Sequence, residues 1–295
     1  MGQVLKMKRS PGLRPGFLTG FAFDGAAEQP WFLFGAAAAF FIATLFQVSF
    51  LQGFVQAGMG TGHSLGELVA YALFGCGYGG QESVRLPGRW LLVVGLGLIA
   101  SFGWGERVDW QRQQMVVRGG SRSAWWISVF LWNLLETVLY YAFFFGGAAL
   151  FALVSHAEMH FSCSTALLDF IETGKIEGDP ATIAATAESV SLFSFIPLFL
   201  LCAAVMGETE MLLSFIFGTW GGFVGTIIIL LAPVFVTLEW LPSAYMMAAR
   251  GDWYIPYGEN STRGFITALV WLAAVFICGF IITSGVDIMQ GKKEM

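Results

Sequence analysis

The chain has 295 residues, of which 12% are charged, 56% hydrophobic and 16% aromatic, and its mean hydropathy is +0.69. This composition argues against a soluble globular domain and indicates an integral membrane protein. The net charge of −5 is not a reliable indication of a partner, because in a membrane protein the positions of Lys and Arg relative to the spans matter more than their sum. No nucleic-acid partner is predicted.

Long apolar runs predict an all-α polytopic membrane protein that forms a single transmembrane domain over 1–295. A helix needs about 20 mostly apolar residues to cross the hydrocarbon core, and several of the six predicted apolar runs reach that length. The predicted spans cover residues 31–55, 87–104, 124–154, 190–217, 223–238 and 265–284.

The segments between these spans are short. Residues 1–30 predict a basic start and an interfacial elbow helix, with no removable signal peptide. The glycine-punctuated stretch 62–77 predicts a short interfacial or re-entrant helix on the outer side. The acidic stretch 155–190 predicts an outer loop, and GTWGG at 218–222 predicts a tight turn between the fourth and fifth spans.

The distribution of Lys and Arg predicts the orientation in the membrane. With six spans both termini share a side, and that side carries ten of the fifteen Lys and Arg. The cytoplasmic side of a membrane protein is enriched in these residues. Both termini, including the tail 285–295, are therefore expected in the cytoplasm.

The polar segment 105–123 separates the second and third spans. As a helix it aligns Arg107, Gln111, Gln114 and Arg118 on one stripe, and two glycines end it. Trp125 and Trp126 follow, which predicts the level at which the third span enters the bilayer. The segment is either an ordinary cytoplasmic loop or a docking helix for a soluble partner.

The stretch LPGRWLLVVGLGLIASFGWGERVDWQRQQMVVRGGSRSAWWISVFLWNLLETVLYY resembles small permease subunits of bacterial ATP-binding-cassette transporters of the type-2 exporter class. Weaker similarities are LPSAYMMAARGDW and the ending GVDIMQGKKEM. Val129 departs from the pattern, since Lys is expected there. The matching positions are Pro87, Trp90, Asp109, Gln113 or Gln114, Arg118, Ser121, Arg122, Trp125, Trp126, Ser128, Trp132, Tyr140 and Tyr141.

The resemblance implies a permease of the bacterial cytoplasmic membrane. In such a permease, residues 105–123 would form a coupling helix that is seated in a separate ATPase subunit. The coupling residues would be Arg107, Gln111, Gln114, Arg118 and Arg122. The sequence lacks a G-x-x-x-x-G-K-[ST] motif, so ATP and Mg²⁺ are expected on the partner chain and no cofactor on this one. A second permease subunit, of the same or a different chain, would complete the pathway.

One ionisable residue falls deep in a predicted span. Glu136 lies about 18 Å along the third span, where a charge is costly and a functional role is the default hypothesis. Asn133 and Thr137 share its face, so the three residues predict a polar substrate pathway. The alternative is a protonated glutamate that is hydrogen-bonded to a neighbouring helix.

Other reactive side chains give weaker signals. Glu208 and Glu210 are expected at the inner end of the fourth span, where a carboxylate reaches water. His156 and His160 lack the spacing of a zinc motif, so no metal is predicted. Cys76 and Cys163 both fall in outer segments, which leaves a disulfide between them open.

Two classes of function follow. The first is a non-catalytic permease subunit that exports a hydrophobic or amphipathic substrate, such as an antimicrobial peptide, a lipid or a drug. The second is an intramembrane protease or acyltransferase that uses the buried carboxylates and the histidines. A secondary transporter is a further alternative, but the sequence shows no convincing internal repeat.

Overall fold

A computed structural model of the chain describes residues 30–56, 64–77, 86–101, 122–165, 167–168, 171, 189–236, 238–255 and 258–285. The described chain is mostly helical. Its α-helices are α1 Pro30–Gln56, α2 Leu65–Leu73, α3 Gly88–Ser101, α4 Arg122–Val154, α5 Phe195–Phe235 and α6 Ser261–Gly285.

Two short strands form a small antiparallel ladder between α4 and α5. Strand β1 (Ser162–Ser164) pairs with β2 (Ser189–Ser191), with Ser162 opposite Ser191. Two 3₁₀ turns, Pro242–Met246 and Ala248–Arg250, follow α5. The sequence did not predict these strands, because three residues are too few to show an alternating pattern.

Within the described residues, four helices are long and apolar enough to cross a bilayer: Phe34–Gly53, Trp125–Val154, Phe195–Phe235 and Ser261–Thr283. A fifth apolar stretch, Gly88–Ile99, is shorter than the others. Large apolar side chains such as Phe34 and Ile281, both 62% exposed, cover the outer surface of these helices. The chain is therefore a membrane-embedded, multi-pass protein.

Helix α5 is a hairpin rather than one straight rod. Its 41 residues are interrupted at Gly218, whose φ of 79° and ψ of 167° are not helical. A Cβ placed at Gly222 would lie 2.5 Å from the Ser214 backbone nitrogen, whereas residues eight apart in a straight helix are separated by about 12 Å. The chain therefore reverses at Gly218, inside the predicted GTWGG turn.

One end of the bundle carries a compact cap, built from α2, the strands and residues 239–255 and 258–260. The Trp90 indole nitrogen at the start of α3 donates to the Met246 carbonyl at 2.8 Å. The Ala249 amide donates to the Phe74 carbonyl at 2.8 Å. These contacts hold the first turns of α3 and the segment before α6 in one layer.

Helix α2 is fixed in the cap by its own N-terminus. Ser64 and Glu67 form a reciprocal capping box, in which each side chain accepts from the other residue's backbone amide. The Ser64 hydroxyl also donates to the Ser162 carbonyl at 2.6 Å. A Cβ at Gly66 would lie 2.6 Å from that same carbonyl oxygen, so glycine permits the close contact between α2 and β1. The stretch predicted as an interfacial helix is thus largely buried in protein.

The opposite end of the bundle joins the start of α4 to the ends of α6 and of the first arm of α5. Trp125 packs edge-on against Phe215, with ring centroids 5.6 Å apart. The Trp126 indole donates to the Phe276 carbonyl at 3.1 Å. Both tryptophans are buried. They pack helix against helix, and the level at which they lie in the bilayer stays a prediction.

The predicted and observed helices agree in most of the described chain. The runs 31–55, 124–154 and 265–284 correspond to α1, α4 and α6. The run 87–104 is described only to residue 101, and 190–217 begins as a strand before α5 starts. The predicted elbow at 1–30, the segment 105–123 and the tail 285–295 lie almost entirely outside the described residues, as does the middle of the outer loop 155–190.

Candidate functional site

The centre of the bundle contains polar side chains on α4 that face α5. Asn133 is fully buried and Glu136 is 2% exposed. Thr137 lies one turn after Asn133, and its hydroxyl donates back to the Asn133 carbonyl at 3.0 Å. The sequence therefore correctly grouped these three residues on one helix face.

The first arm of α5 meets this face at a glycine. A Cβ at Gly207 would lie 2.8 Å from the Thr137 hydroxyl oxygen and 3.7 Å from the Asn133 amide nitrogen. Glycine at this position lets the backbones of α4 and α5 approach closely. The next residue, Glu208, is fully buried, and its carboxyl group lies beside the Asn133 side chain.

We call Asn133, Glu136, Thr137 and Glu208 the polar seam. Within the described part of the chain, the amide atoms of Asn133 and the carboxyl oxygens of Glu208 complete no hydrogen bond of regular geometry. Buried polar groups usually have such partners, and their absence is costly in an apolar interior. The seam is therefore a place where small movements or a bound species would satisfy unmet hydrogen-bonding capacity.

The third helix at this level is α6. The Trp271 indole nitrogen donates to the Thr209 hydroxyl at 3.1 Å, and that hydroxyl donates to the Val205 carbonyl at 2.7 Å. This short chain of hydrogen bonds ties α6 to α5 directly beside Glu208. Glu210, two residues further, is also buried, about 200° around the helix from Glu208.

The depth of Glu208 differs from the sequence expectation. It lies about 20 Å along the first arm from Phe195 and about 14 Å from Phe217 at the turn. In a hydrocarbon core about 30 Å thick this is near the middle. Glu208 and Glu210 are enclosed by protein rather than open to water, so the expectation that they reach water at the inner end of the span is wrong.

The described positive charges lie away from the polar seam. The described Arg side chains are Arg89, Arg250 and Arg263, and each belongs to the cap or to a helix end beside it. Arg250 donates to the Cys76 carbonyl at 2.9 Å and Arg263 pairs with Glu239. None of these three Arg side chains therefore lies at the level of Glu208 in the helix interior.

Four of the five proposed coupling residues lie outside the described part of the chain. Arg107, Gln111, Gln114 and Arg118 lie outside the described residues, and Arg122 is described only as the first residue of α4. Their predicted role remains a prediction. The start of α4 at Arg122 nevertheless places the end of that segment at the bundle end that contains Trp126 and Phe276.

The histidines belong to the cap, at the opposite end from Trp126. His160 forms an ion pair with Glu158 at 2.6 Å and contacts the Ser162 hydroxyl. His156, at a positive φ of 57°, ends the turn after α4. The described residues contain no group of three His, Cys, Asp or Glu side chains that could hold a metal ion.

Cys76 and Cys163, the pair for which the sequence leaves a disulfide open, do not form one. Cys76 and Cys163 are both free thiols. The Cys76 sulfur lies 3.6 Å from the Met247 sulfur and receives a hydrogen bond from Arg250. Burial raises the pKa of the Cys76 thiol, and the adjacent Arg250 guanidinium opposes this shift. Burial, with Glu67 as the second cause, also raises the pKa of Cys163.

Tyr245 connects the cap to α6. Its hydroxyl donates to the Glu239 carbonyl at 2.7 Å, and its ring lies over Gly264, where a Cβ would be 2.7 Å away. Burial, with the Glu259 carboxylate as a weaker cause, raises the pKa of Tyr245 to about 12. The hydroxyl therefore remains a hydrogen-bond donor throughout the neutral range.

Comparisons of the chain with protein families, with curated proteins and with solved structures find no match.

Proposed function

We propose that the chain is the transmembrane permease subunit of an ATP-driven transporter, in which a separate subunit binds and hydrolyses ATP. The observation that carries the proposal is the polar seam, a row of buried polar side chains between α4 and α5 in the middle of a mostly apolar bundle. Polar groups at such depth are costly and mark substrate or ion pathways in membrane proteins.

The proposed topology has six crossings: α1, α3, α4, the two arms of α5, and α6. The reversal at Gly218 and the contacts at both bundle ends support this arrangement, because alternate helix ends lie in the cap. The Lys and Arg count then puts both termini in the cytoplasm of a bacterium and the cap outside.

Segment 105–123 is proposed as the coupling helix. Its neighbours in the chain support this role, because α4 begins at Arg122 and continues without interruption past Asn133 and Glu136. A force applied near Arg122 would therefore move the seam about 16–21 Å away along one rigid helix. The partners on this proposal are ATPase subunits and a second permease subunit, with lipid around the bundle and no nucleic acid.

The proposed substrate is a hydrophobic or amphipathic molecule that moves outward. The described cap is small and closely packed by α2 and the 3₁₀ turns, so substrate entry from the membrane suits the architecture better than capture by a large outer domain. The apolar outer surface of the helices offers such a molecule a matching environment.

Copurification tests the proposal. The full-length chain, expressed with its neighbouring genes and extracted in mild detergent, should bring down a soluble ATPase. Charge reversal of Arg118→Glu together with Arg122→Glu should remove that ATPase by at least about tenfold while membrane insertion persists. The matched control, Lys292→Glu with Lys293→Glu, reverses two charges on the same predicted side and should retain the ATPase. An undisturbed complex in the first variant would return 105–123 to an ordinary loop.

The second candidate is an intramembrane enzyme. The position of Glu208 beside Asn133 favours it, because acid–base catalysis uses a positioned carboxyl group. The structure places His156 and His160 in the cap rather than near the seam. An enzyme of this kind would therefore work without the histidines. Purification of the chain alone, with catalytic turnover and no associated ATPase, would favour this candidate over the permease.

A further inference from the structure

We propose that Glu208, paired with Asn133, is a proton-binding site inside the membrane, which is loaded in the closed bundle and exchanges its proton with water when α4 and α5 separate. This inference deepens the permease proposal, because it makes the transport cycle dependent on a proton. The binding of the proton itself requires no partner subunit.

The first step of the argument is the enclosure of Glu208. Its side chain is completely buried near the middle of the first arm of α5. A carboxylate at this depth, with no cation beside it among the described side chains, is unfavourable by several kcal/mol, about 3 or more. The neutral acid is therefore the form that suits the closed bundle.

The second step is the titratable and charged groups on every helix packed against Glu208. Helix α4 contributes Glu136, with Tyr140 and Tyr141 beyond it, and Arg122 lies about 16 Å before Asn133 along the helix. On α5 itself the groups are Cys202 and Glu210. Helix α3 offers only Arg89, at its outer end, and α6 only Arg263 and Cys278. Among the described side chains, the groups at the level of Glu208 are carboxyl, thiol and phenol groups, and none of them supplies a positive charge.

The third and independent step is Asn133. This side chain is fully buried, lies beside Glu208, and has neither its amide NH₂ nor its carbonyl oxygen in a regular hydrogen bond within the described chain. A primary amide is the complement of a carboxylic acid, since its oxygen accepts the acid proton while its NH₂ donates to the acid carbonyl. Small side-chain rotations would close this pair.

Asn133 also makes deprotonation reachable. When the proton leaves, the amide NH₂ can still donate to the carboxylate, and hydrogen bonds to charged groups are about twice as strong as neutral ones. The proton passes to water and leaves one negative charge on the Glu208 carboxyl group, and re-protonation reverses the step. A site that stabilises both forms is suited to take up and release a proton in each cycle.

Carbodiimide labelling tests the site in the full-length chain in lipid nanodiscs. Dicyclohexylcarbodiimide is apolar and converts protonated carboxyl groups to a stable N-acylurea, which peptide mass spectrometry locates. We expect Glu208 to be modified at slightly acidic pH, and the yield to fall about tenfold for each pH unit above its titration midpoint. Glu158, an exposed side chain in the cap that contacts His160, gives the reference labelling level of a surface carboxyl group.

Variants make the outcome decisive. Glu208→Gln keeps the size of the neutral acid, so it should remain folded, and it should lose the modified peptide and the infrared carboxylic-acid C=O band. Asn133→Leu should keep Glu208 labelled to more alkaline pH by about one unit, because the anion loses the adjacent amide donor. Glu158→Gln should leave the Glu208 profile unchanged.

Other results overturn the proposal. Failure of Glu208 to label at any pH, or labelling that does not vary with pH, excludes a proton site there. An unchanged profile in Asn133→Leu removes Asn133 from the site. These readouts use the isolated chain, so they differ from a failure of the permease proposal, in which no ATPase copurifies while Glu208 still titrates.

Discussion

Trp126 and Gly279 are packed so closely that the indole occupies the space of a side chain at residue 279. A Cβ built on Gly279 would lie 2.0 Å from a ring carbon of Trp126. The same indole donates to the Phe276 carbonyl one turn earlier in α6. The contact between the start of α4 and the end of α6 therefore depends on glycine.

Gly279→Ala should destabilise the bundle because the indole must move to make room for the methyl group. We expect a loss of about 1–3 kcal/mol, the usual penalty of overpacking a well-filled interior. Thermal unfolding of the full-length protein in detergent, followed by loss of monodisperse protein, measures it.

The control for this prediction is Gly146→Ala. A Cβ at Gly146 meets nothing within 4 Å, so the same substitution in α4 introduces no clash. This variant should match or slightly exceed the stability of the unmodified chain, since alanine favours helix. Equal behaviour of the two variants would show that the Trp126 contact yields easily.

Gly218→Ala tests the reversal in α5 by backbone conformation alone. Gly218 has a φ of 79° and a ψ of 167°, a region that is essentially restricted to glycine. A Cβ there would have open space around it. The expected loss of about 1–3 kcal/mol therefore comes from strain rather than from a clash.

Gly53→Ala is the matched control, because Gly53 also has open space around its Cβ position but lies in the helical run of α1. Crosslinking adds a second readout, because Leu213 and Gly225 lie on facing arms. The pair Leu213→Cys and Gly225→Cys should form a disulfide in the Gly53→Ala background and form less of it in the Gly218→Ala background. If Gly218→Ala is as stable as Gly53→Ala, the tight turn is not needed for the hairpin.

The sequence predicted the long helices well because each of their apolar runs is long enough, as a helix, to cross the bilayer. It also predicted the turn at Gly218, from the glycines around it. The capping box of Ser64 and Glu67 was a readable signal that 64–73 is an ordinary helix with a fixed start, and sequence reasoning did not use it.

Tertiary relationships were less accessible to sequence reasoning. The stripe of Asn133, Glu136 and Thr137 follows from helical spacing within one element. Its meeting with Glu208 depends on the close approach at Gly207, which joins positions about 70 residues apart in the chain. Likewise, the position of Trp125 and Trp126 at a helix end is visible in the sequence, whereas their burial against Phe215 and Phe276 is not.

The cap thiols should react slowly and remain unpaired. Burial raises the pKa of Cys76, so at a given pH its reactive thiolate is scarcer than that of a free cysteine and alkylation accelerates only at more alkaline pH. Iodoacetamide rates, measured with Cys76 as the only cysteine, test this sign. Non-reducing peptide maps of the unmodified chain should show Cys76 and Cys163 as separate thiols.

Arg250 gives the Cys76 prediction an internal control. Its guanidinium opposes the effect of burial, so Arg250→Gln should move the alkylation profile to still higher pH. Arg250→Lys keeps a positive charge and should move it less. A profile that shifts to lower pH in Arg250→Gln would contradict this electrostatic assignment.

Glu136→Gln separates a role in transport from a role in packing. Both side chains have the same size and both can donate and accept hydrogen bonds, so the buried face of α4 should keep its contacts. If Glu136 lines the pathway, substrate-stimulated ATP hydrolysis by the assembled complex should fall about fivefold or more, since coupling energies are about 1–3 kcal/mol. Basal hydrolysis and the amount of copurified ATPase should not change. Unaltered stimulation and transport would leave Glu136 as a protonated packing residue and confine the function of the seam to Glu208 and Asn133.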